Sequence, residues 1–307
     1  MSSAIQVTSL PDVAERPRDV AIGTFDGVHL GHRRVIGSAD TVLTFEPHPV
    51  SVLHPGASPK LIMPFSIKRD AIAELGVKEL VVIPFDAAFS KRSAEDFCSS
   101  VLTETLGARS VSVGENFRFG ARARGTPEML SAHDSFETHV VPLVELDGET
   151  VTSSRIRALI AAGEVERAAR LLDALFALEG EVVSGDRRGR TLGFRTANVV
   201  PDEELVVPGH GVYAAFANGT PAAVNVGVRP TFDTGRGLLV EAHLLDFEGD
   251  LYGQTLRIEF VCRLRGERRF ESADELVAEM HRDVEAARER CASFSNPPLA
   301  DAGRSAS

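Results

Sequence analysis

The segment VAIGTFDGVHLGHRRVI, residues 20–36, is the most informative part of the first half of this chain. It opens with a short apolar run typical of a buried strand, passes through several glycines, and ends in residues that can start a helix. Ligands of open α/β sheets gather beyond the carboxyl ends of the strands, where a helix N-terminus offers free N–H groups. The segment therefore predicts a strand, a ligand-binding loop and a helix.

The loop of this segment carries the residue types that suit a polyphosphate. Gly23, Gly27 and Gly31 let the backbone approach a phosphate closely, and His29 and His32 are spaced so that they could share one helical face. A single histidine at a helix start is more often a surface or capping residue, and that alternative stays open for each one alone. The ordered set of strand, glycines and paired histidines favours phosphate binding.

Outward from this segment, short apolar runs alternate with amphipathic segments up to about residue 173, which predicts a parallel sheet covered by helices. After Leu178 the pattern changes to short β-type runs separated by Gly, Pro and Asp, which indicates an antiparallel barrel or sandwich. A helix near residues 274–290 should close it. We expect one domain over residues 1–174, a second over 175–296 and a disordered tail over 297–307.

Composition limits the classes of function. The chain has 307 residues and a formal net charge of −11, which argues against nucleic-acid binding by broad phosphate neutralisation. Its three cysteines are far apart and lack metal-ligand spacing, which favours a reducing compartment. Since an export signal and a run of about 18 apolar residues are both lacking, we expect a soluble cytoplasmic protein without a membrane partner.

Four further stretches carry candidate chemistry. Hydroxyls and a guanidinium in TSSRIR, residues 152–157, suit phosphate at another helix start, although the hydroxyls also suit N-caps. The stretch GENFRFG, residues 114–120, follows a predicted strand and precedes two arginines, which suit phosphate or simply a solvated basic turn. Glycines and arginines of GEVVSGDRRGRTLGFRTANV, residues 180–199, suit phosphate contact through backbone N–H groups and guanidinium forks.

The fourth stretch, LLVEAHLLDFEGDLYG at residues 238–253, alternates so that Glu241 and His243 share one face of a strand. A carboxylate facing a barrel mouth could accept the proton of an alcohol that attacks a γ-phosphate. The alternative for any single glutamate on such a strand is a solvent-facing surface residue. Thr196 and Asn198, two residues apart on an extended segment, offer hard oxygen ligands to Mg²⁺, although ordinary turn chemistry explains such a pair equally well.

These motifs together resemble one known family. GTFDGVHLGH resembles the nucleotidyltransferase signature of bacterial bifunctional riboflavin kinase/FAD synthetases, and the resemblance continues through TFEPHP, FDAAFSKRSAEDF, VSVGENFRFG and TSSRIR. In the second half GRTLGFRTAN, PGHGVYAA, NVGVRPTF, VEAHLLDF and DLYG resemble the kinase module. The resemblance covers nearly the whole chain and implies a Rossmann-like nucleotidyltransferase domain, then an antiparallel β-barrel riboflavin kinase domain with a terminal helix.

The resemblance implies substrates and site residues. The substrates would be riboflavin, FMN and ATP with Mg²⁺, and the products FMN, FAD and pyrophosphate. Catalytic roles fall on Glu241, His29 and His32; nucleotide or phosphate contacts on Gly23, Phe25, Gly31, Ser153, Ser154, Arg157, Gly185, Arg190 and Gly193; flavin contacts on Asn116, Phe119, Arg229 and Phe232; and metal contacts on Thr196 and Asn198.

This chain departs from the family pattern at three places. Thr152, Ser153 and Ser154 stand where Ser-Ser-Thr is usual, and Arg195 replaces a proline. The segment between His32 and Thr44 is shorter than usual, which predicts a helix of only two turns. Two other functions remain open: a monofunctional riboflavin kinase with an impaired first domain, and a non-catalytic flavin-binding protein. The sequence does not indicate an oligomeric state.

Overall fold

A computed structural model describes residues 5–183, 194–228 and 238–294 of the chain. Contacts between Cα atoms divide the chain into two compact units. The first comprises Met1–Lys60 and Phe65–Ser153, and the second comprises Leu61–Pro64 and Ser154–Ser307. None of the helices in the described ranges combines the length and the apolar character that a membrane-spanning segment needs.

Parallel strands build the first unit. Six of them pair within its described residues, in the order β1-β4-β3-β2-β5-β6. The strands are β1 Gln6–Ser9, β2 Arg18–Ile22, β3 Thr41–Glu46, β4 Glu79–Pro84, β5 Ala108–Gly114 and β6 Glu137–Val141, followed by the hairpin of β7 Glu145–Leu146 and β8 Glu149–Thr150. The parallel sheet predicted from the alternating pattern is confirmed. The prediction missed β1, because Gln6 and Val7 are exposed and only Thr8 is buried.

The helices of this unit are short. They are α1 Leu30–Ile36, α2 Pro49–Leu53, α3 Phe65–Glu74, α4 Ala94–Asp96 with its π-helical continuation Phe97–Thr105, and α5 Pro127–Ser131. With seven residues, α1 is the two-turn helix that the short segment after His32 predicts. The hydroxyl of Ser93 caps α4 by accepting from the N–H of Asp96. Its continuation buries Phe97, Val101 and Leu102 against the sheet.

A buried ion pair lies in this unit. Arg18 on β2 is fully buried and donates through Nε to the Glu79 carboxylate on β4 at 3.0 Å. Its other donors reach the backbone carbonyls of Ala14, Arg16 and Leu106. Glu79 also accepts from Arg16 at 2.6 Å. Because a buried charge is tolerated only when its hydrogen bonds are satisfied, this network supports the sheet rather than a binding site.

The second unit is a closed antiparallel barrel, with the six described strands in the order β10-β13-β12-β11-β14-β9. The strands are β9 Phe176–Val183, β10 Ala197–Pro201, β11 Gly211–Ala217, β12 Thr220–Val228, β13 Leu238–Leu244 and β14 Thr255–Arg265, and the helices are α6 Ser153–Ala162, whose first residue belongs to the first unit, α7 Val165–Leu172 and α8 Ala273–Ser293. The predicted barrel and its terminal helix are confirmed.

Alternation along the strands separates an apolar barrel interior from an outer face. One row of paired residues, Val182, Val199, Val240 and Val226, is buried inside the barrel. On the outer face, α8 packs its small buried residues against small residues of the wall, namely Ala287 and Cys291 against Ala214 and Ala223. The helix therefore covers part of the wall on the side opposite to the apolar interior.

Candidate active sites

The loop after β2 lies where a ligand is expected in an open parallel sheet. β2 pairs with β3 on one side and with β5 on the other, so the connections that leave these strands diverge at its carboxyl end. The helix that follows is anchored to β5, since Ser112 donates to the backbone carbonyl of Val35 at 2.7 Å. The loop of residues 23–29 thus begins at the topological switch point of the sheet.

This loop has an unusual backbone. Phe25 and Val28 have φ angles of 49° and 39°, a region that a β-branched residue such as valine rarely adopts. A Cβ on Gly23 would lie only 3.0 Å from the ring of Phe25, which is buried. Strain of this kind persists only where the surroundings impose it, and it concentrates at ligand-binding sites. The backbone conformation therefore points to a functional loop.

His29 and His32 lie together at the start of α1. His29 is the N-cap of the helix, and its Nδ1 accepts from the N–H of His32 at 3.2 Å. The two rings are stacked, with their centroids 3.6 Å apart and their planes 16° from parallel. Because Nδ1 of His29 accepts, its neutral ring carries the hydrogen on Nε2. The capping alternative and the phosphate-binding prediction are therefore compatible for His29.

The hydroxyl-rich motif meets the same loop. Ser153, which belongs to the first unit, donates through Oγ to the backbone carbonyl of Asp26 at 2.9 Å, and this bond holds Ser153 against the glycine-rich loop. Gly31 lies close to both segments, since a Cβ there would be 3.1 Å from Cε1 of His29 and 3.8 Å from the carbonyl oxygen of Val151. Ser154 is exposed on the first turn of α6, and Arg157 is half-buried further along it.

The loop after β5 contains two residues predicted to contact flavin. Asn116 is exposed, as a ligand-contacting residue requires. Phe119 is buried in the apolar core, where its ring contacts those of Phe97 and Phe117 at centroid distances of 5.4 and 5.5 Å. A Cβ on Gly125 would lie 2.7 Å from the Phe119 ring. The structure thus gives Phe119 a packing role and leaves Asn116 accessible.

In the second unit, Glu241 lies in a row of polar residues across three adjacent strands. It pairs with Asn198 of β10 on one side and with Asn225 of β12 on the other. The row lies on the outer face of the barrel wall, because the neighbouring residues Val240 and Ala242 are buried inside. Glu241 is half-buried, and Asn198 is 8% exposed. The predicted alternation of this strand is confirmed, and the carboxylate faces away from the apolar interior.

Thr196 lies just before β10, at the edge of this polar row, and is half-buried. Magnesium keeps several waters and takes few protein ligands when substrate phosphates complete its shell. Two neutral oxygens beside a carboxylate fit this requirement. The parts of the chain that the structure describes contain no group of three or more His, Cys, Asp or Glu that could hold a metal by itself.

Sequence reasoning did not select three residues of this region. Asn225 was missed because the sequence of its stretch, NVGVRPTF, does not indicate which of its residues pairs with Glu241. His243 and His281 both contact the ring of Phe194, and only the tertiary structure brings α8 to this place. The predicted site residues Gly185, Arg190, Gly193, Arg229 and Phe232 lie outside the described residues.

Comparisons with known proteins match the two halves of the chain to two different enzyme families. The FAD synthetase family model matches residues 13–155, and the riboflavin kinase model matches residues 172–291. A protein from Streptococcus pneumoniae described as a macrolide-efflux protein has a solved structure that superposes with a TM-score of 0.84 at 29% identity, covering 95% of this chain and all of that one. That similarity concerns the fold, and the description belongs to that protein.

Curated relatives match over nearly their full lengths. A bifunctional riboflavin kinase/FMN adenylyltransferase of Bacillus subtilis (strain 168) is 37% identical over 290 residues, covering 87% of this chain and 90% of the relative. A protein of the same description from Escherichia coli (strain K12) is 33% identical over 304 residues, covering 92% of this chain and 96% of the relative. The chain therefore belongs to the bifunctional riboflavin kinase/FMN adenylyltransferase family.

Proposed function

We propose that the chain catalyses two successive ATP-dependent reactions. The first phosphorylates the 5′ hydroxyl of riboflavin to give FMN, and the second joins FMN to the AMP part of ATP to give FAD and pyrophosphate. The observation that carries this proposal is the match of two different enzyme families to the two halves of one chain. We assign adenylyl transfer to residues 1–174 and flavin phosphorylation to residues 175–296.

In the adenylyltransferase site, we assign the triphosphate of ATP to the loop after β2 and the start of α1. A phosphate oxygen of FMN attacks the α-phosphorus while pyrophosphate leaves, and this displacement requires positioned positive charge and N–H donors rather than a covalent nucleophile. His29 offers Nε2–H to a phosphate oxygen because its Nδ1 already caps the helix. Stacking holds His32 beside it, so the two rings present donors to neighbouring oxygens.

Ser153 contributes to this site through the loop. Its hydroxyl bonds to the carbonyl of Asp26, which fixes the strained backbone between Phe25 and Val28. The glycines on either side lack a side chain and so allow the phosphate chain to approach the backbone closely. We also assign Ser154 and Arg157 to phosphate contacts and Asn116 to the flavin, on the strength of their motifs and of the exposure of Ser154 and Asn116.

In the kinase site, Glu241 acts as the general base. Its carboxylate accepts the proton of the 5′ hydroxyl as that oxygen attacks the γ-phosphorus and ADP leaves. Thr196 and Asn198 would hold Mg²⁺, which neutralises charge on the phosphates. Asn198 lies opposite Glu241 on the paired strand, so the base and the metal-binding amide are held in a fixed relation by the sheet.

The substrates are small molecules, and we place the enzyme in the cytoplasm. This location is consistent with the cysteines Cys98, Cys262 and Cys291, all three of which are free thiols.

A chromatographic time course of purified protein with riboflavin, ATP and Mg²⁺ tests the proposal. FMN should appear first and FAD should follow at its expense. If FMN accumulates and added FMN gives no FAD, the chain is a monofunctional kinase. If neither product forms although flavin binds, the chain is a flavin-binding protein and the enzymatic proposal is wrong.

A further inference from the structure

His243 makes two contacts with the residues that lead into Thr196. It lies two positions after Glu241 on β13, and its Nδ1 is 2.8 Å from the backbone carbonyl oxygen of Arg195. A carbonyl oxygen can only accept a hydrogen bond, so Nδ1 of His243 carries the hydrogen. This assignment holds for the neutral and for the protonated ring, because both can bear a hydrogen on Nδ1.

The second contact is with the ring of Phe194. The centroids of the His243 and Phe194 rings are 5.3 Å apart at an interplanar angle of 72°, an edge-on arrangement. On α8, His281 contacts the same phenylalanine ring at 4.9 Å. Phe194 is only 5% exposed. One histidine side chain therefore fixes both the side chain of residue 194 and the backbone of residue 195.

These contacts bear on the position of Thr196, because this residue lies before the first strand pairing of β10. The pairing of β10 with β13 begins at Ala197, so Thr196 is placed by what holds the residues on its N-terminal side. Arg195 is exposed and has no ring to restrict its backbone. The bond from His243 spans 48 positions of sequence and connects this segment to the strand that carries Glu241.

We infer that His243 is a positioning residue of the kinase site, and this inference rests on the function proposed above. Its Nδ1–H donor and its ring hold the segment that presents Thr196 and Asn198 at a set distance from the catalytic carboxylate. His243 takes no proton from the substrate. Its loss should weaken the binding of Mg²⁺ and ATP more than it slows the chemical step.

Two substitutions separate the donor from the ring. Asparagine places an amide N–H near the position of Nδ1, so His243→Asn keeps the donor, whereas His243→Phe keeps an aromatic ring and removes the donor. Loss of a hydrogen bond of about 1.4 kcal/mol corresponds to about tenfold in affinity. We expect His243→Phe to raise KM for ATP in FMN formation about tenfold, with a smaller change in kcat, and His243→Asn to stay within about threefold of the parent protein.

FAD formation from added FMN, measured on the same preparations, should not change, and thermal melting should show that each variant is folded. Calorimetric titration with ATP and Mg²⁺, fitted to one site in each unit, should show the same loss of affinity at only one of the two sites, without turnover. Unchanged KM and affinity in His243→Phe, an equal loss in both variants, or a fall in kcat alone would each overturn the inference. If the parent protein binds ATP and Mg²⁺ but makes no FMN, the proposed function fails, while the calorimetric comparison still tests the role of His243.

Discussion

The imidazole ring of His29 stacks on that of His32, with the ring centroids 3.6 Å apart, while its Nδ1 caps the helix that carries its partner. One side chain thus has a structural nitrogen and a second nitrogen that we assign to the ligand. This relationship allows the capping role and the proposed catalytic role of His29 to be tested apart.

His29→Asn should lose adenylyl transfer and keep the helix. Asparagine is among the best N-cap residues, so the capping bond to the N–H of residue 32 survives. The substitution removes Nε2, the ring nitrogen that we assign to the ligand. Loss of one preorganised donor costs about 100-fold or more in rate. The measurement is the initial rate of FAD formation from FMN and ATP, with FMN formation as the internal control; an unchanged FAD rate would show that His29 is only a cap.

Gly31→Ala should slow adenylyl transfer without unfolding the protein. A Cβ at this position would lie 3.1 Å from Cε1 of His29, closer than ordinary contact, so the ring must shift. Because displacement of a catalytic group by a fraction of an ångström is costly, we expect about a tenfold lower rate of FAD formation. Gly56→Ala is the matched control, since a Cβ on Gly56 would meet no atom within 4 Å. Equal rates for both variants would contradict the prediction.

Glu241→Gln should abolish most FMN formation. The amide has nearly the shape of the carboxylate but cannot accept the proton of the hydroxyl, and general-base catalysis contributes about 10²–10⁴-fold. Glu181→Gln, an exposed glutamate of the same barrel, is the control and should behave as the parent protein. Retained phosphorylation of riboflavin by Glu241→Gln would exclude this glutamate as the base.

Asn198→Ala should raise the Mg²⁺ concentration that FMN formation needs. The substitution removes one of the two oxygens assigned to the metal, and we expect the half-saturating concentration to rise about tenfold. The Mg²⁺ dependence of FAD formation, measured in parallel, should stay the same because its site is separate. An unshifted Mg²⁺ dependence, with only a lower maximal rate, would indicate that Asn198 does not bind the metal.

Arg18→Met should destabilise the first unit by about 3 kcal/mol, because it removes the buried partner of Glu79. Burial raises the pKa of Glu79, but hydrogen bonds from Arg18 and Arg16 outweigh this effect and hold the pKa below its ordinary value. The stabilisation is therefore present above the unfolded pKa of about 4.3 and is lost as the pH falls through the lower folded pKa. Urea unfolding should show a difference in the free energy of unfolding between parent and variant, and this difference should decrease as the pH is lowered.

A double substitution tests the same network. Arg18→Met with Glu79→Leu removes both buried charges, and it should recover part of the stability that the single change loses. A double variant less stable than Arg18→Met would show that the ion pair is not the source of the loss. Arg16 also bonds to Glu79 but is more exposed. We therefore expect Arg16→Met to lower the free energy of unfolding by less than Arg18→Met does.

Much of the fold was predictable from local patterns. The strand that leads into the glycine-rich loop and the alternation of Glu241 with buried neighbours follow from periodicity over a few residues. The two-turn helix was predicted from the length of its segment, which is shorter than the family pattern. β1 was not predicted, because this strand is defined by its pairing with β4 and not by an apolar pattern. Phe119 is a second example: its motif predicts a flavin contact, which stays a prediction, and only the tertiary packing shows that its ring is in the core.

Local sequence patterns were enough to predict a parallel sheet followed by an antiparallel barrel, together with the chemical types of residue expected in each site, because hydrophobic periodicity and glycine placement act over short distances. Which residues contact one another depends on the tertiary structure. Asn198, Glu241 and Asn225 form one row because strands far apart in sequence pair in one register, and Ser153 reaches Asp26 across 127 positions. Such contacts are set by strand pairing and chain closure, which no local pattern encodes.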